Sequence, residues 1–147
     1  MEKERLLISA CLLGVSCRYD GGKKPMDERY LSALAEKYEL IPICPEQLGG
    51  LTTPREPSER RGSCVVMRSG RDVTAEYERG ASEALLLAGL FSCRRALLKE
   101  RSPSCGSGEI FDGTFTGSLT AGEGVTAQLL KANGLAVFGE SRVSELF

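Results

Sequence analysis

The segment RLLISAC, at residues 5–11, is a short apolar run that ends in a small residue and a cysteine. The run predicts a buried strand over residues 5–10, because strands covered on both faces are hydrophobic throughout. The polar, glycine-containing stretch RYDGGKKP follows at residues 18–25 and predicts a loop. The first strand therefore ends at a cysteine, Cys11, that opens this loop.

The next two elements complete a strand–helix–strand unit. Residues 27–38 (DERYLSALAEKY) carry apolar side chains at helical spacing, and Asp27 is the expected N-cap. Residues 39–43 (ELIPI) form a second apolar run that is followed by Cys44. Its Pro42 is tolerated at the edge or end of a strand, so this element is predicted as a strand near the edge of a sheet.

The middle of the chain is dominated by one long helical pattern. Residues 46–63 have the proline, glycine and charge content of a long ordered loop, and residues 64–68 predict a ribbon that turns at Ser69 and Gly70. Residues 72–92 predict a helix with Asp72 as N-cap. Because its last turns are nearly all apolar, we expect them to be deeply buried.

The remaining elements continue the alternation of strands and helices. They are a strand at residues 94–99, a helix at residues 125–133 closed by Gly134, and a strand at residues 135–138. Such alternation predicts parallel strands joined by right-handed crossovers. The expected fold class is α/β: one Rossmann-like domain spanning residues 1–147, with a parallel sheet of about four strands and helices on both faces.

Composition excludes several classes of function. The chain has 147 residues, a net charge of −1 and no histidine, which excludes Ser-His-Asp and Cys-His catalysis and histidine-bound zinc. The balanced charge favours a small-molecule partner over nucleic acid or a membrane surface. Without a convincing secretory signal, and with its longest apolar run at residues 84–91, the chain is expected to be cytoplasmic, with six reduced cysteines.

Three of the cysteines follow predicted strands. Cys11 and Cys44 come directly after the first two strands, and Cys105 lies in the loop after the third. Since ligands bind beyond the carboxyl ends of parallel strands, we expect these three thiols to share one crevice. Cys93 is expected to pack in the core and Cys64 to be structural, whereas the loop residue Cys17 fits a fourth ligand or a resolving thiol.

The chemistry of such a thiol set is soft. An all-sulfur set without imidazole favours an iron–sulfur cluster or zinc, although the spacing matches neither zinc ribbons nor ferredoxins. A cubane held by three cysteines leaves one iron open, and sulfur is the atom that this iron would favour. The alternative is that the three cysteines are small buried packing residues.

Polar groups near these cysteines are candidates for acid–base chemistry and recognition. Glu46 lies two residues after Cys44, and Ser102 lies in a tight turn before Cys105; their alternatives are a solvated loop carboxylate and plain turn chemistry. Residues 18–21 and 112–114 suit either recognition of a polar heterocycle or hairpin turns. Residues 122–124 precede a helix as in an anion site, but Glu123 argues against phosphate.

Six motifs in order resemble the bacterial family of domains of unknown function labelled DUF-523, which includes thiouracil desulfidase. They are SACLLG at 9–14, CRYDGG at 17–22, CPEQLGGL with PREPSE at 44–59, DVTAEYERGA at 72–81, LLKERSPSCG at 97–106, and FDGTFTG with GEGVTAQLL at 111–130. The resemblance runs along nearly the whole chain.

The resemblance implies an enzyme that takes sulfur from a thiolated pyrimidine and replaces it by oxygen from water, without net redox change. It implies a [4Fe-4S] cluster held by Cys11, Cys44 and Cys105 with one open iron. Glu46 and Ser102 would be the acid–base pair, and Cys17 is not carried over as a ligand.

Two other functions remain open on the sequence. One is a zinc- or cluster-bearing structural or sensor module, which needs a fourth ligand such as Cys17. The other is a sulfur-handling protein that acts on thiolated RNA, with Arg55, Arg60 and Arg61 contacting phosphate. The simpler expectation for these arginines is that they pair with Glu56 and Glu59.

Overall fold

The computed structural model describes residues 2–147 as an α/β fold. The strands are β1 Glu4–Ser9, β2 Tyr38–Ile43, β3 Ser58–Arg61, β4 Cys64–Met67, β5 Arg95–Leu98, β6 Glu109–Phe111, β7 Leu119–Ala121 and β8 Ala136–Gly139. The helices are α1 Glu28–Lys37, α2 Pro45–Leu48, α3 Thr74–Leu90 and α4 Val125–Ala132, with 3₁₀ helices at Ala10–Leu13 and Glu140–Leu146. In this described range, no helix is both long and apolar enough to cross a membrane.

A parallel sheet in the order β2-β1-β5-β8 lies at the centre of the fold. From β1 the chain first moves outward to β2, then returns across β1 to form β5 and finally β8. The direction of winding therefore reverses between β1 and β5. In doubly wound sheets this reversal opens a crevice at the carboxyl ends of the strands.

Helices cover both faces of the sheet, as predicted. On one face α3 and α4 pack through buried residues such as Ala84, Ala88 and Leu130. On the other face α1 and the C-terminal 3₁₀ helix contribute Leu34 and Leu146. Adjacent residues of β1 and β5 alternate between these two cores, so the central strands are hydrophobic throughout.

Several local predictions are confirmed by hydrogen bonds or backbone angles. The Asp27 carboxylate accepts a hydrogen bond from the N–H of Arg29 at 2.8 Å and caps α1. Gly134 follows α4 with φ +89°, the left-handed conformation expected of a glycine after a helix. Pro42 lies on β2, which is an edge strand of the sheet.

The expected deep burial of the end of α3 is wrong for two of its leucines. Leu86 and Leu90 are 63% and 70% exposed, whereas Ala84 and Ala88 are buried. A helix presents only one stripe of residues to a sheet, and small alanines occupy that stripe here. Asp72 also lies one residue before the N-cap position, at Val73, although its carboxylate still accepts a hydrogen bond from the N–H of Thr74.

The predicted long loop at residues 46–63 contains regular structure. It begins with α2 and ends with β3, which pairs antiparallel with β4 around Gly62. The turn at Ser69 and Gly70 adds a single bridge between Val66 and Asp72. A second small hairpin, β6-β7, interrupts the loop after β5. Strands of only three or four residues are too short to show the hydrophobic pattern by which the main strands are recognised.

Two glycines allow α2 to lie directly against α3. A Cβ atom on Gly80 of α3 would lie 1.9 Å from the carbonyl oxygen of Pro45. A Cβ on Gly49, just after α2, would lie 1.9 Å from the carbonyl oxygen of Glu76. Both contacts are with backbone atoms, so no side chain can move aside. The approach fixes the position of the short helix that carries Glu46.

We expect Gly80→Ala to destabilise the protein by about 2 kcal/mol, because the added methyl group forces two backbones apart. The matched control is Gly89→Ala in the same helix, where the new Cβ would have no neighbour within 4 Å. That control should be neutral or stabilising by up to about 1 kcal/mol, since alanine is the better helix former. Urea unfolding measures both, and equal effects would contradict the close-approach explanation.

Candidate functional site

A cavity of ≈ 320 Å³ opens at the carboxyl edge of the sheet. Cys11 after β1, Cys44 after β2 and Cys105 after β5 all line it, as does Cys17. The structure therefore brings the three thiols to one crevice, as expected from the strand ends. The loop residue Cys17 joins them.

The other two cysteines lie elsewhere. Cys93 is buried in the core beneath α3 and α4, as expected of a packing residue. Cys64, expected to be structural, is instead exposed on β4. Neither residue lines the cavity.

Ser102 shapes the loop that presents Cys105. Its Oγ accepts hydrogen bonds from the N–H groups of Ser104 and Cys105, both at 3.0 Å. These bonds use the acceptor capacity of the hydroxyl and leave its O–H available to donate. Because Ser102 also lines the cavity, this proton can be directed toward a bound molecule.

The start of α4 holds the same loop from behind. The N–H groups of Val125 and Thr126 donate to the carbonyl oxygens of Pro103 and Ser104, both at 2.8 Å. A Cβ on Gly124 would lie 2.4 Å from the Ser104 carbonyl oxygen, so glycine is required for this approach. The helix start therefore binds the protein's own carbonyl groups, which agrees with the argument against a phosphate site there.

Three thiols of the cavity, those of Cys17, Cys44 and Cys105, are held in their neutral form by their surroundings. Burial raises the pKa of Cys105 to about 12. The neighbouring Cys17 thiol, followed by burial, raises the pKa of Cys44, and the neighbouring Cys11 thiol raises the pKa of Cys17. Thiolate is the metal-binding form, so a bound metal must displace these protons.

The donor set suits a cluster better than a single ion. Sulfur donors without imidazole are the ligands of iron–sulfur centres. Within residues 2–147 no three His, Cys, Asp or Glu side chains are arranged to hold one metal ion. A cluster spreads its ligands over several iron atoms, so thiols distributed around a cavity fit it. The residues present therefore fit an iron–sulfur cluster.

Glu46 is held by two residues that the sequence did not single out. One carboxylate oxygen accepts a short hydrogen bond from the Tyr77 hydroxyl, and the other accepts one from Arg55 Nη2 at 2.5 Å. Burial, reinforced by the Glu46 charge, raises the pKa of Tyr77, so this phenol stays protonated and donates. The predicted carboxylate thus lines the cavity with a fixed orientation.

Arg55 is the buried cation that forms an ion pair with Glu46. Its side chain is only 2% exposed, and it also donates to the carbonyl oxygen of Cys17 at 2.9 Å. Burial lowers the pKa of the guanidinium, but the Glu46 carboxylate outweighs this and raises it. The arginine therefore links the Cys17 loop to α2. A buried loop arginine has no sequence pattern of its own, so only its long-range contacts reveal it.

A family model described as 2-thiouracil desulfurase matches residues 6–142. The chain belongs to this family. The resemblance found in the six sequence motifs is thereby confirmed, and the matched range contains all five predicted site residues.

One curated protein and one solved structure are similar to this chain along nearly its whole length. An uncharacterized protein, YbbK of Bacillus subtilis (strain 168), is 40% identical, and the alignment covers 96% of this chain and 99% of the relative. A solved structure of TudS, described as a [4Fe-4S]-dependent thiouracil desulfidase, is 51% identical with a TM-score of 0.94. That match covers 98% of this chain and 95% of the other.

The expected pairing of the loop arginines with Glu56 and Glu59 is wrong. Arg55 pairs with Glu46, whereas Glu56 accepts hydrogen bonds from the N–H and hydroxyl groups of Ser69. Glu59 accepts from the N–H groups of Gly113 and Phe115 at 2.9 and 3.1 Å. These two carboxylates accept hydrogen bonds from backbone N–H groups on neighbouring turns. The pattern of charges in the sequence does not indicate such contacts.

The three loop arginines, Arg55, Arg60 and Arg61, all donate hydrogen bonds to groups within the protein. Arg60 donates to the carbonyl oxygen of Glu123 at 2.6 Å, and Arg61 donates to that of Gly113 at 2.8 Å. With Arg55 bound to Glu46, all three guanidinium groups make contacts inside the protein. These contacts argue against the alternative in which the three arginines bind RNA phosphate.

The two segments considered for heterocycle recognition both contain turns. Asp20 accepts a hydrogen bond from the N–H of Gly22, and Asp112 accepts one from that of Thr114. Arg18 and Tyr19 of the first segment line the cavity. At the second segment the flanking aromatic residues line it instead of Asp112.

We expect Arg55→Gln to lower the free energy of unfolding by about 3 kcal/mol, because it leaves the Glu46 carboxylate without its buried cation. Arg29→Gln is the control, since Arg29 pairs with Asp27 at the surface with 88% of its side chain exposed. Surface ion pairs contribute about 0–1 kcal/mol. Denaturant unfolding compares the two, and an equally small loss in both would argue against a buried ion pair.

Proposed function

We propose that this chain is a [4Fe-4S]-dependent desulfidase that replaces the sulfur of a thiolated pyrimidine, such as 2-thiouracil, by oxygen without net redox change. Family membership and the 51% identity to TudS support this function. The observation that carries it is the meeting of three thiols, a carboxylate and a hydroxyl in one cavity: Cys11, Cys44, Cys105, Glu46 and Ser102.

The three strand-end thiols are the proposed ligands of the cluster. Cys11, Cys44 and Cys105 follow three neighbouring parallel strands, so the sheet brings the segments that carry them to one edge. When bound, a cluster with one iron free of cysteine supplies a Lewis acid with affinity for sulfur. Cys17 remains outside this set as a neighbouring thiol.

Glu46 and Ser102 are the proposed acid–base pair. Each oxygen of Glu46 keeps a lone pair beyond its bond to Tyr77 or Arg55, so the carboxylate can take a proton from an attacking water. Ser102 can donate its free O–H proton to the departing sulfur. Water thus supplies the oxygen of the product and the protons of the released sulfide. Solvent or Glu46 returns a proton to Ser102 and completes the balance.

The substrate is proposed to be a free thiolated heterocycle, with nucleic acid disfavoured as a partner. The cavity volume of ≈ 320 Å³ is at the small end of the range for ligand sites, which supports a compact ligand.

We also propose that residues 1–147 act as one domain in the cytoplasm. Six free cysteines support a reducing compartment.

One alternative keeps a specific observation in its favour. Cys17 lies beside Cys11 and Cys44, as a fourth ligand of a closed structural or sensor site would. A closed site has no position at which substrate can bind. The number of cysteine ligands therefore distinguishes the enzyme from a structural or sensor protein.

We expect Cys11→Ser, Cys44→Ser and Cys105→Ser each to lose most bound iron after anaerobic reconstitution, because each removes one of three ligands. Cys17→Ser should keep the full iron and sulfide content, as should Cys93→Ser, the control in the core. The measurement is an iron and sulfide count with an absorption spectrum. Loss of iron in Cys17→Ser, with the fold intact, would support the closed four-ligand site instead.

We expect Glu46→Gln to keep the cluster while releasing sulfide from 2-thiouracil ~10²–10⁴ times more slowly, the usual cost of removing a positioned base. Ser102→Ala should be impaired similarly. The control is Glu56→Gln, which changes a cavity carboxylate that is bonded to Ser69. A wild-type rate in cluster-loaded Glu46→Gln would show that the base is another group.

A further inference from the structure

The hydroxyl of Ser58 is a buried polar group without a partner. Ser58 is 9% exposed, lies at the start of β3 and lines the cavity. Three buried side-chain atoms of residues 2–147 have no hydrogen-bond partner, on Arg55, Ser58 and Glu123. Of these residues, Ser58 is the one that lines the cavity. Buried polar groups are nearly always hydrogen-bonded, so a free one in a ligand site points to the ligand.

Ser58 is also placed close to the proposed chemistry. A polar neighbour is the Tyr77 hydroxyl, which already donates to Glu46. Because the Tyr77 proton goes to Glu46, the Ser58 oxygen receives no hydrogen bond from this phenol, and its lone pairs can accept one from a molecule in the cavity. A molecule that bonds Ser58 would lie beside the carboxylate proposed to act on water.

An aromatic side chain, Phe115, lines the same cavity in a strained backbone conformation. Its φ of +58° is rare for a bulky residue and is kept only where the surroundings enforce it. Glu59, the residue after Ser58, enforces it by accepting the Phe115 N–H from a buried position. The guanidinium groups of Arg61 and Arg68 lie 5.9 and 5.8 Å from the ring centroid.

We propose that Ser58 and Phe115 form the recognition subsite for the heterocycle, in which the Ser58 hydroxyl bonds a ring N–H or carbonyl group and the Phe115 ring packs against the pyrimidine. The inference rests on the proposed function and names the residues that determine its specificity. A thiolated pyrimidine has the two features required, a polar edge of alternating donors and acceptors and a flat aromatic face. Aromatic side chains bind bases through that face whatever their substituents.

The test measures binding of uracil, the sulfur-free product, to anaerobically prepared holoenzyme by calorimetry, together with kcat and KM for 2-thiouracil. Ser58→Ala should raise the uracil Kd about three- to tenfold, the range for one neutral hydrogen bond. KM should rise similarly with little change in kcat, because the contact is the same in ground and transition states. Phe115→Leu should raise the Kd about tenfold and Phe115→Tyr, which keeps the ring face, much less.

Thermal unfolding separates recognition from a structural role. Ser58→Ala removes a buried hydroxyl that has no partner, so the Tm without ligand should stay equal or rise. Ser144→Ala, exposed and away from the cavity, is the control and should change neither Kd nor Tm. The analogue 1,3-dimethyl-2-thiouracil, which has no ring N–H, should bind wild type more weakly than 2-thiouracil does. That difference should shrink in Ser58→Ala if the hydroxyl bonds a ring N–H.

The possible results distinguish failure of the recognition subsite from failure of the proposed desulfidase function. Wild-type uracil affinity in both Ser58→Ala and Phe115→Leu, with sulfide still released, would overturn the subsite and leave the desulfidase intact. A lowered Tm in Ser58→Ala with unchanged Kd would also overturn it. Weakened uracil binding in the variants of a protein that releases no sulfide would uphold the subsite and reject the reaction.

Discussion

The parallel pairing of β1 with β2 and β5 is the constraint on which the rest of the structure depends. Parallel hydrogen bonding brings the carboxyl ends of the three strands to one edge, and each strand is followed by a cysteine of the cavity. Winding reverses between β1 and β5, so no crossover covers the crevice there. The thiols are thus brought together by the backbone ladder of a rigid core and need no contact with one another.

The groups around the thiols depend on a second kind of contact, the close approach of backbones at glycines. Gly80 lets α2 lie against α3, which brings Glu46 within reach of Tyr77. Gly124 does the same for α4 and the loop of Ser102. Both proposed acid–base groups are therefore carried on short segments that packing holds against longer helices. Such support suits groups that must keep one orientation while a substrate enters and leaves.

The sequence predicted the sheet and the shared position of the thiols because both follow from periodicity and strand ends. It did not predict β3 and β6, which are too short to show a hydrophobic pattern, or the exposure of Leu86 on a helix whose last turns are nearly all apolar. The partners of Glu46 were equally out of reach, since Arg55 and Tyr77 lie 9 and 31 positions away on elements whose packing is nonlocal.

The proposed reaction replaces sulfur by the oxygen of water with no change of oxidation state. The most direct measurement is turnover of 2-thiouracil by anaerobically reconstituted protein in water enriched in oxygen-18, without any electron donor or acceptor. We expect one labelled oxygen in each uracil formed and one sulfide released for each. Unlabelled uracil, sulfur released in an oxidised form, or turnover that requires an added oxidant would contradict it.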